Sequence, residues 1–203
     1  LQISAIATGI SLLVGLPLGT MLAQGKFWGR SFLLSMVNTG MGLPPVVVGL
    51  FVAMMLWRSG PLGDFKLIYT PTAIIIAQVV ISFPVVTGLT ATALQALDPR
   101  LRLQLYGLGA SRLQMIWMLW KDARLPLLAA LMAGFGSVIS EVGASMMVGG
   151  NIRYQTRVLT TAIVLETGKG HFDIAIALGV LLLTITFLVN WALTWIQQRG
   201  ARE

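Results

Sequence analysis

One ionisable side chain lies inside a long apolar run of this sequence. Glu141 is the only charged residue between positions 125 and 149. An acid inside a membrane span is a candidate functional group, because a charge in hydrocarbon is costly unless it is partnered. We leave three roles open for Glu141: a structural or gating hydrogen bond to a neighbouring helix or a second copy of the chain, a place in a substrate path, and proton coupling.

Other residues with catalytic or metal-binding chemistry are sparse. The chain has no cysteine and a single histidine, His171, which stands near Asp173 outside the apolar runs and is interpreted as a surface residue. An intramembrane serine protease needs His within its spans, a zinc protease needs H-E-x-x-H, and an aspartyl protease needs two Asp there. The sequence has none of these sets, so we expect neither an enzyme nor a metal site.

Composition indicates that lipid is the solvent of this protein. Of 203 residues, 56% are hydrophobic and 10% are charged, whereas soluble domains are typically about 25% charged. The formal net charge is +7. In a membrane protein the position of basic residues along the chain matters more than their sum. We therefore expect a lipid bilayer and not a nucleic acid as the partner of these charges.

Five apolar segments are long enough to cross a bilayer, which takes roughly 20 residues of helix. The sequence predicts an all-α membrane protein with one domain over residues 1–203. Pro and Gly within spans are tolerated where neighbouring helices satisfy the freed backbone groups. The predicted spans are about 1–24, 33–57, 69–96, 125–149 and 174–197.

The distribution of Lys and Arg predicts the orientation. Nine of the 14 basic residues fall on the side that holds the segment 98–124, and five fall on the other side. Cytoplasmic loops carry the excess of positive charge. We therefore expect a multi-pass protein of the cell (inner) membrane with its N-terminus outside and its C-terminus in the cytoplasm. The cytoplasmic set is Lys26, Arg30, Arg100, Arg102, Arg112, Lys121, Arg124, Arg199 and Arg202.

The cytoplasmic segment 98–124 has the signals of a folded element. Asp98 followed by Pro99 is typical of a helix start. Gly107 and Gly109 are expected to end that helix after residue 106, and Ser111 with a Gln three residues later predicts a capped second helix over about 112–122. Two readings remain open: a docking site for a soluble partner, and an interfacial element that packs only on its own bundle.

At this segment the sequence resembles a known family. Leu105-Tyr106-Gly107-Leu108-Gly109-Ala110-Ser111-Arg112, followed by Leu125-Pro126, is similar to the cytoplasmic loop of the permease subunits of binding-protein-dependent ATP-binding-cassette (ABC) importers. The Glu-Ala-Ala that opens the family's motif is replaced by Leu103-Gln104-Leu105. The resemblance implies the type I importer fold with a coupling-helix loop between the third and fourth spans.

Further stretches resemble the oxyanion permeases within that family. They are Gly42-Leu43-Pro44-Pro45-Val46-Val47-Val48-Gly49, Arg58-Ser59-Gly60-Pro61-Leu62-Gly63, Ser140-Glu141-Val142-Gly143-Ala144 and Met147-Val148-Gly149-Gly150-Asn151-Ile152. Together they look most like the tungstate permeases, with molybdate and sulfate permeases as alternatives. A stand-alone anion channel or a proton-coupled carrier also stays open.

The resemblance implies a homodimeric pore, two cytoplasmic ATPase subunits and an extracytoplasmic tungstate-binding protein. The sequence contains no G-x-x-x-x-G-K-[ST] nucleotide loop. ATP and Mg²⁺ are therefore expected on the partner ATPase, and no cofactor is expected in this chain. By the same resemblance, the residues predicted to couple to the ATPase are Arg100, Leu103, Leu105, Gly107, Gly109, Ala110 and Ser111.

A path for a dianion should offer hydrogen-bond donors, because desolvating the charge without them is costly. Hydrogen-bonding side chains of the spans are Asn38, Thr39, Ser82, Thr87, Thr90, Ser137, Ser140 and Ser145. The predicted path or gate comprises Asn38, Thr39, Pro44, Pro45, Ser82, Ser140, Glu141 and Ser145. A carboxylate repels an anion, so we favour a structural or gating role for Glu141. Docking of the binding protein is predicted at Asn151, Arg153 and Arg157. The alternative interpretation is that these residues belong to a solvated loop without a partner.

Overall fold

A computed structural model describes residues 1–200, with side chains to residue 198; of the residues counted for orientation, Arg202 and the side chain of Arg199 lie outside it. The described chain is helical and contains no β-strand. The helices are α1 (Gln2–Gln24), α2 (Arg30–Met41), α3 (Pro45–Leu56), α4 (Pro71–Gln95), α5 (Pro99–Gly107), α6 (Arg112–Asp122), α7 (Arg124–Ile139), α8 (Gly143–Gly149), α9 (Leu159–Gly168) and α10 (Phe172–Gly200), with a 3₁₀ turn at Gly63–Phe65.

The parallel pair α1 and α4 forms the centre of the bundle. Small residues recur every fourth position along the buried face of α1, at Ala7, Ser11, Gly15 and Gly19. A Cβ on Gly19 would lie 2.7 Å from the backbone oxygen of Thr87 on α4. Small residues let membrane helices approach closely, and dispersion and hydrogen bonds then replace the hydrophobic effect that lipid does not supply. This four-residue spacing was a signal available in the sequence.

Two of the predicted spans are broken in the structure. The second is divided into α2 and α3, whose axes meet at 105°. Pro44 and Pro45 cause this break, because proline lacks the N–H that a continuous helix would use. The fourth is divided into α7 and α8 by residues 140–142. By length and composition, α1, α4 and α10 can each cross a membrane, and up to five spans result if the bent pairs α2–α3 and α6–α7 each count as one.

The two broken spans pack on one end of α4. Val48, Val52 and Leu56 of α3 contact a cluster that includes Ile74 of α4 and Val148 of α8. This cluster holds the second halves of both broken spans, α3 and α8, against α4 at the end opposite to α5 and α6. The halves are thus fixed in the bundle, although neither continues the axis of the helix before it.

The final helices form a hairpin on one side of the bundle. α9 lies between the fourth and fifth predicted spans, and it packs against α10. Only 6% of the apolar window of α10 is buried within the chain. A long apolar helix with so little intrachain cover faces lipid or another polypeptide.

Candidate coupling loop and helix breaks

The segment 98–124 folds as the sequence predicts, with one difference. Asp98 Oδ1 accepts a hydrogen bond of 2.8 Å from the backbone N–H of Arg100, which caps α5. Ser111 and Gln114 form a reciprocal capping box at the start of α6. Gly107 is still helical, so the break predicted at both glycines occurs at Gly109 alone, whose φ is +74°.

The turn after α5 is a Schellman motif. The N–H of Gly109 donates to the oxygen of Tyr106, and the N–H of Ala110 donates to the oxygen of Leu105. Both bonds satisfy carbonyl groups at the helix end, and they require the left-handed conformation that glycine adopts without strain. Gly107 does not adopt that conformation. The sequence alone could not show which of the two glycines ends the helix.

The predicted coupling residues divide into a buried and an exposed set. Leu105 packs in a cluster with Met115, Leu119 and Leu94, which fixes α5 and α6 to the end of α4. Leu103, Tyr106 and Leu108 point outward, and Leu103 is 71% exposed. Arg100, Gly107, Gly109 and Ser111 are also exposed, and Ala110 is half-buried. The loop is therefore a rigid element with an apolar outer face.

Glu141 caps α8 from inside the bundle. Its side chain is buried, and its carboxylate accepts hydrogen bonds from the N–H groups of Ala144 at 2.7 Å and Ser145 at 3.0 Å and from the Ser145 hydroxyl at 3.0 Å. Its backbone oxygen accepts a bond of 2.9 Å from Thr160 of α9. A carboxylate at the start of a helix satisfies the free N–H groups there and interacts favourably with the helix dipole.

These contacts are those of a helix cap, and the gating role of Glu141 stays a prediction. The hydrogen-bond partners of its side chain belong to α8, the helix that the residue starts. Serine and backbone donors that Glu141 occupies are not available to a substrate.

Gln78 is a residue of this break that the sequence analysis did not single out. It is 2% exposed on α4, and its Nε2 donates a hydrogen bond of 3.2 Å to the oxygen of Val138 in the last turn of α7. The same oxygen accepts from the N–H of Glu141 at 3.3 Å, so Gln78 gives a carbonyl at the helix end a second donor inside the bundle. A polar residue in an uncharged apolar run was the signal that could have found it.

The break between α2 and α3 is different in character. Asn38, Thr39, Pro44 and Pro45 are exposed on the single chain. Neither Asn38 nor Thr39 makes a side-chain hydrogen bond to any described residue. Because polar groups in hydrocarbon need partners, this surface must face water or another protein chain.

The starts of α3 and α8 lie side by side. A Cβ on Gly143 would be 2.6 Å from the Val46 side chain, and one on Gly49 would be 2.5 Å from the Cα of Ala144. Both helices therefore begin at the same depth and run to the same end of the bundle. Ser140 is exposed at the end of α7, near the starts of these two helices. Its hydroxyl donates a hydrogen bond to the backbone oxygen of Gly136.

Two other predicted path residues are buried between helices. The hydroxyl of Ser82 lies 2.5 Å from that of Ser11 on α1, and it also contacts the backbone oxygen of Gln78. Ser145 bonds Glu141 and is 1% exposed. In this conformation both side chains serve helix packing and capping, and neither reaches an open surface of the chain.

The predicted docking residues lie in a structured turn after α8. The Arg157 guanidinium donates to both the side-chain and the backbone oxygen of Asn151, at 3.3 and 3.2 Å. Asn151 has a positive φ of 51°, so these bonds brace an unfavourable conformation. Arg153 is exposed and stacks on Tyr154, with its guanidinium carbon 4.8 Å from the ring centroid. Of the two arginines, Arg153 is the more exposed.

A small charge cluster closes the α9–α10 hairpin. Glu166 contacts Lys169 Nζ at 2.9 Å and His171 Nδ1 at 2.8 Å. Hydrogen bonds from Lys169 and then His171 lower the pKa of the Glu166 carboxyl. His171 is thus a surface residue held by its neighbour. Over residues 1–198, whose side chains are described, no three His, Asp or Glu residues cluster as a metal site would require.

Comparison with known proteins agrees with this arrangement. Residues 15–202 match the family of binding-protein-dependent transport system inner membrane components. A probable anion ABC transporter permease of Haloferax volcanii is 40% identical over 94% of this chain and 84% of that protein. The tungstate uptake system permease of Peptoclostridium acidaminophilum is 39% identical over 97% of this chain and 86% of that protein.

A solved structure shows the same fold. The MetNI methionine ABC transporter, in an inward facing conformation, aligns with a TM-score of 0.76 over 98% of this chain and 91% of that chain, at 18% identity. The helix order and the broken spans therefore form the fold of type I ABC importer permeases. The chain belongs to the family of inner membrane components of binding-protein-dependent transport systems.

Proposed function

We propose that this chain is the membrane subunit of an ATP-driven importer that moves tungstate into the cytoplasm. The proposal is supported by similarity along 97% of the chain to a tungstate uptake permease. The structural observation that carries it is the exposed, unpartnered polar surface at the α2–α3 break. A membrane protein that leaves such a surface in a single chain completes it with a second chain or a water-filled path.

The assembly contains two copies of this chain, two ATPase subunits and an extracytoplasmic binding protein. In this proposal the chain crosses the membrane five times, with its N-terminus outside and α5–α6 and the C-terminus in the cytoplasm, which agrees with the excess of basic residues on that side. The ATPase subunits bind ATP and Mg²⁺, because this sequence has no nucleotide-binding loop. The turn that contains Asn151, Arg153 and Arg157 lies at the opposite end from α5, where the binding protein docks.

The path for the anion follows the α2–α3 break. Asn38 and Thr39 offer hydrogen-bond donors there without a carboxylate, and the start of α3 turns the positive end of its dipole toward the same level. Glu141 lies nearby, but its carboxylate is occupied by α8. Pro44, Pro45 and Ser140 complete the exposed residues of this path. Discontinuous helices at mid-depth are a recurrent way to bind substrates in transporters.

Coupling to the ATPase runs through the exposed face of α5 and the turn at Gly109. A Gly109→Trp substitution strains the left-handed turn and is expected to abolish ATPase binding and transport together. Gly179→Trp is the matched control, because Gly179 is helical in α10, lies outside the proposed contact, and a Cβ there would have open space. Retained ATPase binding in Gly109→Trp would contradict the proposed contact.

The decisive experiment is the ATPase activity of the purified complex in lipid nanodiscs with its binding protein loaded with tungstate, molybdate or sulfate. Stimulation by the tungstate-loaded protein alone is the expected result. Equal stimulation with molybdate or sulfate would broaden the substrate class and keep the importer. Anion flux without any copurifying ATPase would overturn the importer and favour a channel or carrier.

A further inference from the structure

A groove lies between the last turns of α1 and the start of α6. Its volume is about 840 Å³. Met21 of α1 and Leu113 and Ile116 of α6 line it with apolar surface. Trp120 forms one wall, and its Nε1 donates a hydrogen bond of 2.8 Å to the Thr20 hydroxyl, which ties α6 to α1.

The rim of the groove is cationic. Lys26 and Arg112 are exposed and line the groove, and none of the described residues that line it is acidic. The groove therefore has an apolar floor and a positive edge, which matches a ligand with one negative headgroup and hydrocarbon chains. Basic pockets beside membrane helices are a known form of headgroup recognition.

A buried donor inside the groove lacks an acceptor. Nε2 of Gln24 is inaccessible to solvent and has no hydrogen-bond partner in the described part of the chain. Buried polar groups are rarely left unpaired, and Gln24 lines the groove, so a turn of its side chain would bring this free donor to a ligand there. The oxygen atoms of a phosphodiester or of a glycerol ester would accept from this group.

The apolar floor continues along the outer face of α1. Val14 and Leu13 are exposed on the same helix, and Leu13 is 77% exposed. Beside the rim, Trp28 is fully exposed at the turn between α1 and α2. Tryptophan is enriched at the level of lipid headgroups, so this turn marks the membrane surface next to the cationic rim.

We propose that this groove binds one anionic phospholipid of the leaflet at the α5–α6 end. The headgroup lies between Lys26 and Arg112, Gln24 donates to a phosphate or ester oxygen, and an acyl chain follows the exposed face of α1. The site is independent of the transported anion, since none of the residues that line it belongs to the proposed anion path.

The test is native mass spectrometry of the intact complex released from nanodiscs of phosphatidylcholine that contain phosphatidylglycerol. The wild-type complex is expected to retain phosphatidylglycerol in preference to phosphatidylcholine. In the Lys26→Gln/Arg112→Gln double variant, retention should fall about fivefold for each cation removed. The Arg58→Gln/Lys66→Gln variant is the matched control, because it removes the same charge at the opposite end of the bundle.

A second variant tests the buried donor. Gln24→Leu keeps both cations and is expected to lower phosphatidylglycerol retention roughly threefold, because one hydrogen bond to the headgroup is lost. Unchanged retention in Gln24→Leu would overturn the role of Gln24. Equal losses in the two charge variants would overturn a specific site, because the lipid would then respond only to total charge.

Other occupants of the groove give different results. Displacement of phosphatidylglycerol by inorganic phosphate in solution would identify a phosphate site and overturn the lipid assignment. The chain has no native cysteine, so a Leu113→Cys variant reports on this surface alone. A cross-link from that position to the ATPase or to a second copy would show that a protein covers the groove, and it would also overturn the proposal.

Discussion

The two helix breaks lie at the same depth and differ in how their polar groups are satisfied. At the α7–α8 break, Glu141 accepts from two N–H groups of α8 and Gln78 donates to the oxygen of Val138, while Gln78 Oε1 has no partner among the described residues. At the α2–α3 break, two prolines end the helix, and Asn38 and Thr39 stay exposed without a side-chain partner among the described residues. The first break is built for stability within one chain, and the second needs something from outside it.

This difference separates residues that the sequence placed together. Glu141, Ser145 and Asn38 were all predicted at the path or gate. Glu141 and Ser145 make their hydrogen bonds within the bundle, whereas the Asn38 side chain is exposed and makes none to the described residues. A polar residue in a span therefore indicates a functional surface only if its hydrogen bonds are not already made within the bundle.

Removal of the cap on α8 should have the largest effect. Glu141→Ala leaves two N–H groups and one hydroxyl without their acceptor, and we expect a loss of about 3 kcal/mol in the free energy of unfolding. Glu141→Gln keeps one acceptor and should lose about half as much. Denaturant unfolding in nanodiscs measures both values. Ser140→Ala is the control, and an equal result for Ser140 and Glu141 would remove the distinction between the breaks.

Close packing between α3 and α8, the second halves of the broken spans, should have the next largest effect. Gly49→Ala places a methyl group 2.5 Å from the Cα of Ala144, and overpacking of this kind costs about 2 kcal/mol. Gly42→Ala is the matched control at the α2–α3 break, because its nearest neighbour would be 3.7 Å away. The same unfolding measurement applies. A neutral Gly49→Ala would mean that α3 and α8 separate without cost.

Substitutions at the α2–α3 break should change anion uptake more than the free energy of unfolding. Asn38→Ala is expected to change the free energy of unfolding by less than about 0.5 kcal/mol, because the side chain has no intrachain partner. Uptake of the anion should fall, and it should fall further in Asn38→Asp, whose carboxylate repels an anion. Ser82→Ala should show the reverse pattern, with a loss of about 1 kcal/mol and little change in uptake. If Asn38 and Ser82 behaved alike, burial would not separate path from packing.

The charge cluster of the α9–α10 hairpin should give the smallest effect. The pKa of Glu166 is lowered in the folded protein by hydrogen bonds from Lys169 and His171. Its contribution is therefore present above the ordinary pKa of glutamate and is lost as pH falls through the lowered value. The effect is small because the cluster is exposed to solvent.

Hydrogen-exchange protection of the backbone around Gly170 measures this loss. The wild-type chain should lose protection at acidic pH, and Glu166→Gln should have low protection that does not change over the same pH range. An acid-dependent loss that persisted in Glu166→Gln would assign the effect to another group.

The sequence by itself determined the elements whose causes are local. Asp98, Ser111 and Gln114 cap α5 and α6 with groups at most three residues away, and these helices were predicted within one residue of their observed ends. The apolar runs indicated helices in lipid, because hydrophobic length is a property of the segment. The family was also recognisable, since its motifs are contiguous stretches of the chain.

Only the tertiary structure decided which polar groups are already satisfied. The pairing of Gln78 with Val138 spans 60 positions, and that of Ser11 with Ser82 spans 71. Such partners meet only because α1, α4 and α7 pack together. The same packing left Asn38 exposed and made Glu141 a helix cap, since a side chain in lipid takes its role from the donors and acceptors that the fold brings within reach.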